Sequence, residues 1–326
     1  LRDMAKKGTG IDSPLFQLLS DWTPADIAHI KTDVFRDQVQ LNEKLKKQLA
    51  EIRAKSKIKG KQQEAIRALR ELEDLLDEPD TVDVGTHIDI FLSFRACEDW
   101  DGMISFYEKM PDVLKRQILV REQLGFAYNR RAGKTKNPLD RAEALRILEN
   151  VEKQQGPSAE TCGLIGRIYK DHYTEALERK DNAFTVRGYL KKSIQAYRRG
   201  FKSDLRDAYP GINAVTLLDV QGDEKALMEK EKLLPVVRFA VEGRIEEKPD
   251  YWDYATMLEL SVLENDFDTA QDHLENALTV VREPWEPKTT ANNLRMIEQA
   301  RKDRGIDTAW LLNAITVLDG KGASAD

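Results

Sequence analysis

Any chemistry in this chain would have to come from a short set of side chains. The four histidines, His29, His87, His172 and His273, are widely separated, and none stands in an HExxH or similar metal-binding arrangement. No GxSxG elbow or GxGxxG loop occurs, and the carboxylates fall where solvated helices ordinarily place them. Cys97 and Cys162 lack metal-ligand spacing and are too few for a disulfide framework, so both read as buried thiols in a reducing compartment. Gly133-Lys134-Thr135 has the ending of a phosphate-binding loop. Tyr128 nevertheless occupies the place of the required earlier glycine, and the lead-in is helical rather than a buried strand. The basic run Lys55 to Lys61 has no interleaved aromatic residue to stack on bases, and a solvated turn is expected there. The chain is therefore expected to hold no catalytic residue, no metal and no cofactor.

Binding is the chemistry that remains. In stacked helix pairs the first helix of each pair lines an inner groove at the positions just after its small residue and one turn on. In one pair these are Arg167, Lys170 and Asp171, with Tyr173 close by; in the preceding pair they are Phe126, Asn129 and Arg130. Asn213, after a helix break, either reaches the same groove or caps its own helix. Arg130, Arg167 and Lys170 would form a positive strip suited to a carboxylate or phosphate. The competing expectation is that these charges form ion pairs between helices.

The elements that must position them are legible around residues 158–218. Ile165, Gly166 and Tyr169 stand at the spacing of the large, small and aromatic positions on the first helix of a tetratricopeptide-type repeat. Ser193, Tyr197 and Gly200 on the next helix offer the complementary ridge, the small residue letting the helices approach closely. Leu124, Gly125 and Tyr128 repeat the signature, followed by Ala144, Leu148 and Val151, with Arg131 to Leu139 expected as an insertion in the turn. Ile90 and Phe94 pair with Met103, Tyr107 and Met110. Tyr209-Pro-Gly-Ile-Asn213 is expected to break and restart a helix. Trp252, Tyr254, Met257 and Leu260 precede a second turn signature at Asp266, and a last pair is expected from about Pro287 to Leu318. Six pairs from Val84 to Leu318 average about 39 residues, a degenerate form of the ~34-residue repeat.

Ahead of the array, Thr23-Pro24 reads as a helix start. Phe35, Val39, Leu45, Leu49 and Ile52 form one apolar stripe, and Ala65, Ile66, Leu69, Leu72, Leu75 and Leu76 a second one that ends at Pro79, an antiparallel hairpin. The expected organisation is an N-terminal segment over 1–32, a helical hairpin over 33–82, the repeat array over 83–319 and a disordered tail over 320–326. The expected fold class is all-α, an α-solenoid of tetratricopeptide-like helix pairs. Composition agrees: 41% hydrophobic and 33% charged residues with only 7% aromatic suit long amphipathic helices. A formal net charge of -6 argues against general affinity for nucleic acid or anionic membrane, and no apolar run approaches the ~20 residues of a membrane span. A cytoplasmic location is expected.

Gly166-Arg-Ile-Tyr-Lys-Asp171, Pro210-Gly-Ile-Asn-Ala214 and the Tyr251-Trp252 helix followed by Asp266 to Ala270 resemble the TRAF-binding central regulatory region of the apoptosis signal-regulating kinases. The resemblance covers roughly residues 83–318 and fits best a bacterial relative of that region without the kinase. It implies a helical array that joins an effector domain to the rest of a signalling protein, offers a surface to a protein or peptide partner, and does no catalysis itself. The expected function is thus a non-catalytic scaffold in stress or defence signalling, with self-association a further option. The alternative is the repeat half of an effector enzyme whose α/β catalytic domain lies upstream of Leu1, an expectation prompted by the absence of an initial Met.

Overall fold

Short polar residues fix where the helices begin. Asp83, Asp99, Ser158, Asn182, Asp207, Asp223, Asp250 and Asp266 each accept a hydrogen bond from an amide in the first turn of the helix that follows. Each such bond satisfies a donor with no partner inside the helix. At Asp250 the bond is reciprocal, the Asp253 carboxylate accepting from the Asp250 amide to complete a capping box. The structure, a computed structural model, describes residues 27–74, 83–246 and 248–323. Among these residues there are fifteen helices and no strand, in two compact units that meet in sequence at Lys115 and Arg116.

The first unit contains α1 (Ile27–Ser56), α2 (Gln62–Asp74), α3 (Val84–Ala96), α4 (Trp100–Lys109) and the single turn α5 (Asp112–Lys115). The two expected stripes do pack: Leu45, Leu49 and Ile52 are buried with Ala65, Leu69 and Leu72, and α1 lies against both α2 and α3. Val39 departs from the stripe and is 40% exposed. The basic turn after α1 is solvated, with Lys55 and Lys61 both paired to Glu64 at 3.2 and 2.6 Å. Arg70 makes two 2.7 Å bonds to Asp99, which ties α2 to the cap of α4. The expected helix start at Thr23-Pro24 and the stop at Pro79 lie outside the described residues, as do Leu75 and Leu76.

The second unit contains five helix pairs: α6 (Ile118–Thr135) with α7 (Pro138–Gln155), α8 (Ala159–Glu178) with α9 (Ala183–Ser203), α10 (Ala208–Gln221) with α11 (Glu224–Ile245), α12 (Tyr251–Glu264) with α13 (Phe267–Thr279), and α14 (Trp285–Asp303) with α15 (Ala309–Ala323). Each first helix also touches the next first helix, from α6 to α14, so the pairs stack as a tetratricopeptide-like α-solenoid. Small residues set the closeness. A Cβ on Gly166 would stand 2.8 Å from the Tyr197 ring, one on Gly125 would stand 2.8 Å from Leu148, and one on Gly200 would stand 3.0 Å from Cys162. Ser193 adds a 2.8 Å hydrogen bond from its hydroxyl to the Gly166 carbonyl. The residue that fills the space beside Gly166 is thus Tyr197 of the partner helix. Tyr169, which the spacing put forward, is partly buried on the Leu148 side, with its hydroxyl on Glu149 at 3.2 Å.

Three local expectations are revised by the same structure. Gly133-Lys134-Thr135 is the last turn of α6, because Lys136 takes the left-handed conformation (φ 58°) and Arg131 holds Asp140 by two 2.7 Å bonds. The extra residues therefore lengthen a helix, and the turn is short. The break before Asn213 falls earlier than expected, between Ser203 and Ala208, and Pro210 sits inside the first turn of α10, where a missing amide proton loses no helical bond. At the other end α15 continues to Ala323, past the expected end at Leu318, and Asp319 pairs with Arg295. No helix among the described residues is long and apolar enough to cross a membrane.

Candidate functional site

In the second unit six of the eight sequence-derived residues make side-chain hydrogen bonds or join a buried cluster, and of the other two Arg130 lies over the Phe126 ring. On α6, Arg130 is exposed and lies over the Phe126 ring at 4.8 Å. Asn129 is buried between helices: its amide donates to Asp171 at 2.9 Å, and its carbonyl accepts from Arg141 at 3.2 Å. On α8, Arg167 Nε donates to the other Asp171 oxygen at 3.0 Å. The Asp171 charge raises the Arg167 pKa above its ordinary value, against the opposing effect of burial. Arg141 binds Glu175 through both terminal nitrogens, and Lys136 reaches the same carboxylate at 3.3 Å. The hydrogen bond from Arg141 is the main reason the Glu175 carboxyl falls to about 2.

Lys170 does not face solvent. Its Nζ donates to Asn213 at 3.1 Å and to Asn293 of α14 at 2.7 Å. Asn293 in turn donates to Glu259 of α12 at 2.8 Å, and the Thr216 hydroxyl of α10 donates to the other Glu259 oxygen at 3.2 Å. One polar chain thus threads α8, α10, α12 and α14. Burial lowers the Lys170 pKa to about 8, with the Arg167 charge adding to it, and burial raises that of Glu259. Asn213 lies buried within α10, where its amide donates to the Tyr209 carbonyl at 3.0 Å, while Asp207 caps that helix. Tyr173 is 9% exposed and belongs to the cluster around Leu190 and Tyr197. Phe126, Arg130, Arg167 and Asp171 therefore present surface, whereas Asn129, Lys170, Tyr173 and Asn213 hold the helices that carry them.

A second charged centre, which sequence reasoning missed, lies farther along. Asp219 is 2% exposed and accepts from Lys230 at 3.0 Å, from Arg301 at 3.1 Å and from Arg304 at 3.2 Å. Burial pushes this carboxyl up, but the Arg301 charge and hydrogen bond, with those of Lys230, leave it below its ordinary value. Lys230 and Arg301 also donate to the end of α12, at the Leu263 carbonyl (3.3 Å) and Asn265 side chain (3.0 Å), where the helix dipole favours cations. The signal available in the sequence was a carboxylate inside an apolar run: Asp219 follows Val215-Thr216-Leu217-Leu218, and Glu259 sits between Leu258 and Leu260. A charge in such a run needs a partner once the helix is buried. Among the described residues no group of three or more His, Cys, Asp or Glu could hold a metal ion. Cys97 and Cys162 are both buried, and burial raises the Cys162 thiol to about 12.

This is the architecture of a helical-repeat protein whose first helices are linked by buried polar side chains. The chain belongs to the family described as the MAP3K TRAFs-binding domain, whose model matches residues 6–310. It is 31% identical over 239 residues to the mitogen-activated protein kinase kinase kinase nsy-1 of Caenorhabditis elegans, covering 69% of this chain and 15% of that protein. It is 26% identical over 258 residues to mitogen-activated protein kinase kinase kinase 15 of Mus musculus, covering 77% of this chain and 18% of that one. The chain thus spans less than a fifth of the length of these relatives. Among solved structures it is similar to TTC0263, a thermophilic tetratricopeptide-repeat protein of Thermus thermophilus, at a TM-score of 0.47 and 12% identity, over 64% of this chain and 98% of that one.

Proposed function

We propose that the second unit is a non-catalytic protein-interaction scaffold that binds a partner protein through the inner face of its helical array, in cytoplasmic stress or defence signalling. The observation that carries this reading is the division of labour on that face. Asn129, Lys170 and Asn213 spend their hydrogen bonds on neighbouring helices, and so keep Phe126, Arg130, Arg167 and Asp171 at fixed positions toward a partner. Preorganised side chains lose little freedom on binding, which favours recognition. Family membership supports a regulatory, protein-binding role, since the family's description names TRAF proteins as what its members bind. The test is capture of partners from source-cell extract on the wild-type chain and on Arg167→Glu. Under this reading the reversed charge removes the specific partners, and an identical captured set with both proteins counts against it.

A second reading is favoured by the length relation: the relatives are named as kinases, and most of their length has no counterpart in this chain. In that reading the array is the regulatory portion of a longer effector. Sequencing the complete transcript decides it, because an open reading frame that adds no domain removes this option.

A further inference from the structure

We propose that the outer face of α9, α11 and α13 is a self-complementary dimer surface whose occupant is a second copy of this chain. The inference is independent of the scaffold reading, because it uses the second helices of the pairs rather than the first. Each of these helices packs on its own first helix and turns its exposed residues the other way. α11 lies between the other two. Its Glu229 pairs with Arg198 of α9, its Arg238 acts on Asp266 and His273 at α13, and Leu234 and Val237 share one core cluster with Ala270 and Leu274.

The three exposed faces differ in kind. α9 carries Lys or Arg at six positions and no Asp or Glu. Arg187, Lys191 and Lys202 stand exposed along one line of it, beside Phe184. Among the described residues Lys191 and Lys202 make no ion pair, Asp223 acting on Lys191 only from farther off. α13 is the reverse, with Asp268, Asp272 and Glu275 exposed and no Lys or Arg. Among the described residues Asp268 and Asp272 likewise make no ion pair. Between them α11 exposes Met228 (57%), Pro235 and Phe239 (79%), which fall in one line at 3.6 residues per turn. By the same turn Lys225 and Lys232 lie on the flank of that line that carries Glu229, toward α9. Glu224 and Glu231 lie on the flank that carries Arg238, toward α13. The face is therefore basic on one side of an apolar line and acidic on the other.

A face divided in this way is its own complement. A twofold axis along the apolar line sets Met228 and Phe239 against the same residues of the other copy, and sets α9 of each copy against α13 of the other. Each basic edge then meets an acidic one, twice. A twofold axis across the helices instead sets α9 on α9 and α13 on α13, and like charges oppose it at both edges. A nucleic acid or an anionic membrane fits the basic half and is repelled by the acidic half. Single exposed apolar side chains are ordinary, but an apolar line bounded by charge has the arrangement of an interface core inside a polar rim.

The experiment is analytical ultracentrifugation of the full 326-residue chain and of three variants: Lys191→Glu with Lys202→Glu, Asp268→Lys with Asp272→Lys, and Phe239→Glu. All five side chains are exposed, so the variants should melt close to the wild type. The wild type is expected to dimerise. Each double charge reversal should weaken the dimer on the order of a hundredfold, because the twofold uses every substitution twice. An equimolar mixture of the two charge-reversed proteins should recover a dimer holding one copy of each, since both edges are then matched again. Phe239→Glu places like charges on the axis and should stay monomeric in every mixture. A wild type that is monomeric at all concentrations, a dimer that survives all three variants, or charge-reversed proteins that do not recover each other would overturn the assignment. Each of these results would leave the inner-face reading standing, since Arg167 lies on a first helix.

Discussion

Two stretches of the second unit solve one packing problem by different means. From α6 to α9 the helices close on small residues: Gly125 under Leu148, and Gly166 under Tyr197, with Ser193 bonded to the Gly166 carbonyl at 2.8 Å. From α10 to α14 they close on buried charge, with Asp219 held among Lys230, Arg301 and Arg304, and Glu259 between Thr216 and Asn293. Apolar contact tolerates change in proportion to volume. A buried carboxylate among cations is less forgiving, since removing it leaves buried cations with only neutral acceptors such as the Leu263 carbonyl and the Asn265 side chain. The glycine contacts of the first stretch are therefore graded, beside its own Arg141–Glu175 pair, and the Asp219 cluster of the second behaves as a lock that seats α14 against α10.

The sharpest way to break that contrast is Asp219→Ala. It leaves Lys230 and Arg301, 6% and 3% exposed, without their carboxylate, and the expected loss is about 3–5 kcal/mol in urea unfolding. The double variant Asp219→Ala with Arg301→Met should recover part of this loss, as residues sharing one network are coupled. Additive costs would mean that the cluster is not a unit. In the apolar stretch, Gly166→Ala puts a Cβ 2.8 Å from a ring that is itself fully buried. Its expected cost is about 1–3 kcal/mol, and in a Tyr197→Leu background most of that cost should vanish.

Lys170 allows the same contrast to be read through pH. Burial holds its folded pKa at about 8, against the 10.5 of a free lysine. Between those values the unfolded chain binds a proton that the folded chain has released, so stability rises with pH there. The gain is about 2 kcal/mol from pH 7 to 9.5. Above that range the buried Tyr197 and Tyr251, whose pKa values burial raises, act in the opposite sense. Unfolding midpoints at stepped pH should show the rise in the wild type and lose it in Lys170→Met. A rise that persists in the variant would assign the effect to other groups.

How much of this was legible in the sequence follows the same division. Gly166, Tyr197, Gly200 and Ser193 were readable because close helix packing demands small residues at fixed intervals, and a local period reports them. The exposure of the residues expected to line a groove was not readable. Lys170 meets Asn293 across 123 residues of chain, and Asp219 meets Arg301 across 82. No periodicity within one repeat encodes how far the row of first helices turns before α14 returns to α10. Arg167 spends its ion pair inside α8, on Asp171 one turn on, and what joins Asp171 to the neighbouring helix is the neutral Asn129 amide rather than an ion pair.

The caps provide the smallest effect and the cleanest control, because they operate on single helices and should not sense which kind of interface lies beside them. Ser158 accepts from the Thr161 amide at 3.0 Å at the start of α8, in the apolar stretch, and Asp223 accepts from the Ala226 amide at 3.0 Å at the start of α11, in the charged one. Each Ala substitution should cost about 1 kcal/mol, and the two should add in the double variant, since they share no partner. Thermal and urea unfolding of the three variants measure this. A distinctly larger cost for Asp223→Ala would show that the Asp219 lock extends through the Gly222 turn into the cap of α11, where a Cβ on Gly222 would stand 2.0 Å from Arg304 Nη1. In that event the charged stretch would be longer than its hydrogen bonds indicate, and Gly222→Ala should cost as much as the loss of the cap itself.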